Sequence, residues 1–199
     1  MSKKIIITIS RQYGSAGRII GQRLAKELGI AFYDREFLED ITKKLGVSGD
    51  FFRDDNRGED GMYEVSRTRM NPLATVTSLS VNLEVYESAA SLIRSIAQRE
   101  SAVIVGRCAD YVLREQYSTF DVFVHSTDDF RCGRICEHDN ISKDEALSII
   151  RQKDKARRRH YKYYTERNWG ESLNYDLCIN TATCGIDEAA EIIAKLAGK

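Results

Sequence analysis

The chain has 199 residues, 42% of them hydrophobic and 30% charged, with a single proline and 30 acidic against 30 basic side chains. Such a composition excludes a collagenous, low-complexity or natively disordered chain and leaves one globular domain, residues 1–199, with length enough for a substantial core. A formal net charge of zero gives no global field toward nucleic acid or an anionic membrane, so anion chemistry must rest on local clusters.

Ile5 to Ile9 is β-branched and apolar on both faces, the pattern of a strand buried in a parallel sheet, and it runs into a glycine-bearing loop. The run is too short for a signal-peptide core or a bilayer span, which sets the expectation of a cytoplasmic protein with no membrane partner. From Gly17 onward Ile20, Leu24 and Leu28 recur every fourth residue until Gly29, predicting a helix stopped by that glycine. Ile30 to Tyr33 reads as a short second strand ending at Asp34, and Arg35 to Leu45 as a helix closed by Gly46. Residues 49–61 turn polar and glycine-rich, and a long helix follows from about Ala74 to Arg99.

Ala102 to Val105 and Phe120 to His125 are the third and fourth expected strands. Ser142 and Glu145 have the spacing of a capping box ahead of Ala146, Leu147, Ile149 and Ile150. Tyr175 to Asn180 reads as a fifth strand and Ile186 to Leu196 as a closing amphipathic helix. Strands alternating with helices imply an α/β fold, an open parallel sheet with helices on both faces and its ligand site at the carboxyl ends of the strands.

The first loop, Ser10-Arg11-Gln12-Tyr13-Gly14-Ser15-Ala16-Gly17-Arg18-Ile19, lies at that end of the first strand. Glycines let successive backbone N–H groups turn toward one point, and the following helix adds the positive end of its dipole, so a phosphate is the natural guest of Gly14, Ser15, Ala16, Gly17, Arg18 and Ile19. Arg18 stands where a P-loop lysine would reach the β- and γ-phosphates. Two positions depart from GxxxxGK[ST]: its first glycine is Gln12, and its hydroxyl residue is Ile19.

Gly106-Arg107 closes the third strand and brings a guanidinium toward the same crevice if the sheet is parallel. Residues 151–159 hold six cations, Arg151, Lys153, Lys155, Arg157, Arg158 and Arg159, against the single acid Asp154. Asp154 and Arg157 fall one helical turn apart with Arg151 on the same face, an arrangement suited to a polyphosphate. A solvated charge run, or a surface for nucleic acid, is the competing reading of this stretch. Asp34 reads first as a helix N-cap and second as a ligand for a sugar, base or metal-bound water. The five cysteines are odd in number and read as reduced thiols; Cys132, Cys136 and His138 lack a fourth ligand, and no metal site is assigned.

In order, the first loop, Ala31-Phe32-Tyr33-Asp34-Arg35, Gly106-Arg107, Asp154-x-x-Arg157 and Tyr175-Asp176-Leu177-Cys178-Ile179-Asn180-Thr181 resemble the cytidylate kinase-like family over nearly the full length. The resemblance implies a P-loop NTPase-type sheet with a helical acceptor-binding insert at about residues 46–99 and a lid at about 151–172. It further implies that ATP with Mg²⁺ is the donor and a nucleoside monophosphate, CMP or dCMP first, the acceptor. Arg18, Asp154 and Arg157 would then be catalytic, and Asp34, Arg107, Arg134 and Arg151 would bind substrate. Cytidylate kinases carry a full GKS/T-type loop and a Gly-Arg-Asp triplet, where this chain has Gly17-Arg18-Ile19 and Gly106-Arg107-Cys108. Mg²⁺ would be left to water and other groups, with Ser15 and Asp34 as candidates. A nucleotide-binding regulator without turnover, or a kinase of another small metabolite, are the alternatives.

Overall fold

The computed structural model describes residues 4–37 and 72–198, with side chains from Leu83 onward in the second segment apart from residue 84. The expected helix from Arg35 to Leu45 beyond Phe37, the polar stretch 49–61 and the first part of the insert lie outside the described residues. Five strands form one parallel sheet: β1 (Ile6–Arg11), β2 (Ala31–Tyr33), β3 (Ala102–Val105), β4 (Phe120–His125) and β5 (Leu177–Asn180). Their order across the sheet is β2-β3-β1-β4-β5. Central β1 pairs Ile6 to Ile9 with Ala102 to Val105 on one side and Ile7 to Arg11 with Phe120 to Val124 on the other. The connection from β1 runs to β2 at one edge and the connection from β3 crosses back past β1 to β4, so the strand order reverses beside β1 and opens a crevice at its carboxyl end, where ligands of such sheets bind.

Alternation along β1 sorts the two faces. Ile7 and Ile9 join Val103, Val105, Val122 and Val124 under Ile20 and Leu24 of α1 (Gly17–Leu28). Ile6 joins Ala102 and Ile104 on the other face, under Ile93 and Ile96 of α2 (Pro72–Arg99) and Val112 and Leu113 of α3 (Ala109–Leu113). Burial on both faces is why these strands read as unbroken apolar runs. Each fully buried aliphatic side chain contributes roughly 1.5–3 kcal/mol. Gly29 ends α1 in a left-handed conformation, as its position requires.

A third, smaller cluster holds the elements that overhang the crevice. Cys132 and Ile135 of α4 (Asp128–Asp139) meet Ala146 and Ile150 of α5 (Lys143–Thr165), and Tyr13 of the first loop packs against them. The basic run 151–159 is thus the middle of one 23-residue helix that begins at the expected capping box. α6 (Thr181–Ala197) starts five residues before the predicted Ile186, with Asn180 accepting from the Ala182 N–H and a non-helical break at Gly185. β5 starts at Leu177 rather than Tyr175, because the side chain of Asp176 accepts from the Asp121 N–H and the Tyr175 ring is drawn into the interior beside Phe123.

In the capping box, the Ser142 hydroxyl accepts from the Glu145 N–H and the Glu145 carboxylate from the Ser142 N–H. Ser142→Ala should therefore lower unfolding stability by about 1 kcal/mol. Urea titration should show an earlier midpoint at unchanged slope; an unmoved midpoint would mean that packing alone sets the start of α5.

Candidate functional site

The loop between β1 and α1 is built around backbone turned to face the crevice. Gly14 has φ +79° and Ala16 φ +67°, both left-handed. Gly14 must lack a side chain for a second reason: a Cβ there would stand 3.0 Å from both Arg131 Cβ and Ile135 Cδ1, so α4 rests directly on the loop. Ala16 caps α1 without a side-chain hydrogen bond, and the first helical bond runs from Ile20 N to Ala16 O. The N–H groups of Gly17, Arg18 and Ile19 therefore receive no side-chain cap at the positive end of a 12-residue helix, the arrangement that attracts phosphate. Fully buried Ser15 donates its hydroxyl to the carbonyls of Gln12 and Val124. That hydroxyl stitches the loop to β4.

Asp154 and Arg157 of α5 come down on this loop. Asp154, 5% exposed, accepts from the Tyr13 N–H at 2.7 Å through Oδ1 and from Arg131 Nη1 at 2.5 Å through Oδ2. Arg157 donates from Nη1 to the Arg11 carbonyl at 3.0 Å, lies 3.9 Å from Asp154 Oδ1, and sits over the Tyr13 ring. Arg131 also bonds the Tyr13 carbonyl and Asp128, so one guanidinium spans the loop, α4 and α5. A carboxylate held by a backbone N–H and a guanidinium is a charge-assisted junction, roughly twice the strength of a neutral pair.

The other expected residues divide. Arg18 bonds two carboxylates, Nε to Asp34 Oδ2 at 2.7 Å and Nη2 to Glu36 Oε2 at 2.6 Å. Asp34 accepts simultaneously from the Phe37 N–H at 3.1 Å, the N-cap reading, so both its oxygens are engaged. Arg107 stands at the carboxyl end of β3 in a run of three left-handed residues: Gly106 at φ +87°, Arg107 at +54° and Cys108 at +55°. Two non-glycine residues in that region cost of order 1–2 kcal/mol each. Arg134 lies on α4 with its Nε buried and no hydrogen-bond partner among the described residues. Arg151 is exposed, one turn before Asp154.

Three features escape a reading of the sequence. Arg131 and Arg134 are one turn apart on the same helix, and only packing shows that Arg131 meets Asp154. Arg11, the last residue of β1, runs its side chain past Gly17 to Gly106. Behind the loop lies a buried polar layer, in which Tyr161 of α5 donates to Asp110 of α3 at 2.6 Å and Thr8 donates to Asp121 at 2.6 Å. Burial drives the Asp110 carboxyl up to about 6 despite the Tyr161 bond, with the Asp121 charge adding to the rise. Burial likewise raises Asp121, Tyr161 and Tyr175. Residues 51 positions apart leave no local sign of such a pairing. Among the described residues no group of three or more His, Cys, Asp or Glu side chains could hold a metal, and no helix is long and apolar enough to cross a membrane.

The family model described as the cytidylate kinase-like family matches residues 6–183. The chain belongs to that family. A cytidylate kinase of Saccharolobus islandicus is 23% identical over 194 residues, covering 95% of this chain and 88% of the relative. The crystal structure of an uncharacterized protein from Eubacterium ventriosum superimposes with a TM-score of 0.75 at 25% identity and 98% coverage of both chains. A shikimate kinase from Bacteroides thetaiotaomicron shares the fold, with a TM-score of 0.54 at 18% identity over 96% of this chain and 97% of its own. Family and fold together are those of a kinase-like enzyme.

The raised carboxyl of Asp110 makes a pH prediction. Between about pH 4 and 6 the native state holds a proton that the unfolded chain has released, so this group's contribution falls as pH rises through that window. The difference amounts to at most about 3 kcal/mol. Asp110→Asn has no such titration and its amide oxygen still accepts from Tyr161. Stability of the variant relative to the native chain should therefore be greater at pH 7 than at pH 4.5 in urea unfolding. Parallel pH profiles for the two proteins would show that Asp110 is not the group responsible.

Proposed function

We propose that this protein transfers the γ-phosphoryl group of ATP to a nucleoside monophosphate, with CMP or dCMP the first candidate acceptor. The observation that carries this reading is the docking of Asp154 and Arg157 onto the phosphate loop, through Tyr13 N and the Arg11 carbonyl. A helix that brings a cation to the loop where a triphosphate would sit is the arrangement phosphoryl transfer needs, because positioning and charge neutralisation supply nearly all of its catalysis. The cytidylate kinase relatives support CMP or dCMP as the acceptor.

In the reaction an acceptor phosphate oxygen attacks the γ-phosphorus in line, the bond to the bridging oxygen breaks, and ADP leaves with the electron pair; no covalent enzyme intermediate forms. Gly14 to Ile19 hold the donor phosphates through main-chain N–H groups. Arg157 neutralises charge on the transferred group. Asp154 is a positioning residue: its oxygens are taken by Tyr13 and Arg131, and it fixes the spacing of α5 from the loop. Residues 151–172, with Trp169 under Arg158, form the lid in this reading, and α2 the described part of the acceptor insert. Arg107 receives the acceptor's phosphate, with Arg134 and Arg151 as further contacts.

The donor set does not fit direct coordination of Mg²⁺ by the loop. Ile19 replaces the hydroxyl residue, Ser15 is buried against carbonyls, and both Asp34 oxygens are engaged. Mg²⁺ would be held by the nucleotide's own phosphates and water, with no direct ligand from the loop.

Arg18, held by Asp34 and Glu36, favours a second reading, a nucleotide-binding regulator without turnover. An ATP-to-ADP conversion assay with Mg²⁺, run against nucleoside monophosphates and small hydroxylated metabolites, separates the two. The kinase reading expects acceptor-stimulated turnover, lost in Arg18→Ala. It also expects kcat to fall by roughly 10²–10³ in Arg157→Ala with the ATP KM within a fewfold. ATP binding with no turnover for any acceptor would establish the regulator, and absence of ATP binding would remove both.

A further inference from the structure

Gln12 stands where the phosphate-loop pattern has its first glycine, and its N–H, its carbonyl and its side-chain oxygen are all in use. The N–H donates to Val124 O at 3.0 Å, the last main-chain rung between β1 and β4, whose register sets Arg11 beside Val124. A parallel ladder would next carry the Ser126 N–H to the Gln12 carbonyl. That carbonyl has turned out of the ladder and accepts instead from the Ser15 hydroxyl at 2.9 Å and the Ser15 N–H at 3.4 Å. The side chain fills the gap, with Gln12 Oε1 accepting from the Ser126 N–H at 3.0 Å. A main-chain N–H can only donate, so the oxygen end of the carboxamide is the end that faces Ser126.

One side chain thus continues the sheet while the main chain leaves it. Ser126 is 8% exposed, and a buried N–H without an acceptor is costly. With no acceptor in the side chain at position 12, the demand of that N–H falls on the Gln12 carbonyl, and meeting it takes the carbonyl away from Ser15. The other loop carbonyls are tied back in the same way: Arg157 holds Arg11 O, Arg131 holds Tyr13 O, and the Thr181 hydroxyl holds Ser15 O. A carbonyl oxygen turned toward a phosphate repels it, so an anion loop needs its carbonyls tied back and its N–H groups forward. Gln12 is the residue at which that reversal begins. A glycine in its place has no side chain to give to Ser126.

We propose that Gln12 is a positioning residue for the donor phosphates: its carboxamide stands in for a main-chain carbonyl as the last rung of the β1–β4 ladder, which frees the Gln12 carbonyl to turn the loop. This role rests on the reading of the loop as the ATP site given above, and it needs no contact between Gln12 and the nucleotide.

Calorimetric titrations with adenosine, ADP, a non-hydrolysable ATP analogue and inorganic tripolyphosphate would compare the native chain with two variants. Gln12→Met keeps the length of the side chain and removes the acceptor; Gln12→Glu keeps an acceptor and adds a charge. Amide hydrogen exchange at Ser126, followed by NMR, reads the rung itself. Gln12→Met should weaken ADP, the ATP analogue and tripolyphosphate by about three- to tenfold, the worth of one hydrogen bond, and leave any adenosine binding within about twofold. Exchange at Ser126 should become faster. In Gln12→Glu exchange should stay slow, and the deficit for phosphates should shrink as salt is raised, because salt screens a charge and does not repair a geometry. A residue that only stabilises the fold would lower the unfolding temperature and leave the folded protein's phosphate affinity alone. Unchanged phosphate affinity in Gln12→Met therefore overturns the proposal, as does unchanged exchange at Ser126, a loss shared equally by adenosine, or fast exchange in Gln12→Glu. If the native chain binds none of the three phosphates, the kinase reading fails and takes the donor role of Gln12 with it; if it binds them and Gln12→Met binds them as well, only the role of Gln12 fails. Thermal unfolding identifies a variant that has not folded. If Gln12→Met is that one, Gln12→Asn, whose carboxamide is one carbon short of Ser126, takes its place under the same expectations.

Discussion

The geometry of the crevice depends on one buried carboxylate. Asp154 reaches the loop after β1 from a position 141 residues further along the chain and fixes three things at once: the Tyr13 backbone, the Arg131 side chain and the distance of α5 from β1. A carboxylate this buried is tolerated only because both oxygens are bonded to donors of positive character. The converse dependence is as strong, since Arg131 is also buried and without Asp154 would keep only the Tyr13 carbonyl and the exposed Asp128 among the partners described. Breaking one partner of such a pair leaves an uncompensated charge inside, which is costlier than never having had the pair. The small hydrophobic cluster around Ile135 and Ile150 brings α4 and α5 together, but the polar junction decides their register on the loop.

Arginine in place of lysine at position 18 is not a neutral exchange. A planar fork bonds two carboxylates at the same time, Asp34 through Nε and Glu36 through Nη2, and the same Asp34 starts the helix after β2 by accepting from Phe37. One side chain thereby ties the amino end of α1 to the chain segment that leads into the insert. Half of the Arg18 side chain is exposed, so the pair is held loosely and screened by solvent.

Much of this was legible in the sequence, for physical reasons. Buried parallel strands are apolar on both faces, so β1, β3 and β4 announced themselves. Gly29 and the Ser142/Glu145 box are local signals whose partners lie within a few residues. Asp34 as an N-cap belongs to the same class. What stayed hidden is what depends on distant partners. Choosing between Arg131 and Arg134 requires the rotation of α4 relative to α5, which three-residue spacing cannot give. The start of α6 carries no periodic signal because its first turn is held by Asn180 and the Thr181 hydroxyl, which donates to the Ser15 and His125 carbonyls, rather than by an apolar face. Tyr175, β-favouring by type, leaves the strand because its ring packs on Phe123 and its hydroxyl meets the buried layer of Ser10 and Tyr161.

The strained turn after β3 shows how local cost and site geometry are linked. Three consecutive residues at positive φ are a poor solution for a chain that needs only to leave a strand. Its surroundings enforce it: β3 is wholly buried, the Gly106 N–H is held by Ile9, and the Gly106 and Cys108 carbonyls accept from Ala109 and Val112. With those bonds in place the turn has two results that a relaxed one would not give. It leaves the Gly106 backbone uncovered for the Arg11 head, and it sets α3 so that Asp110 meets Tyr161 of the helix that also carries Asp154 and Arg157. Strain at one end of β3, a glycine that cannot be replaced without moving an arginine, and a buried carboxyl bonded to α5 are therefore parts of one solution. Each places a polar group of a different element at the open end of the same sheet.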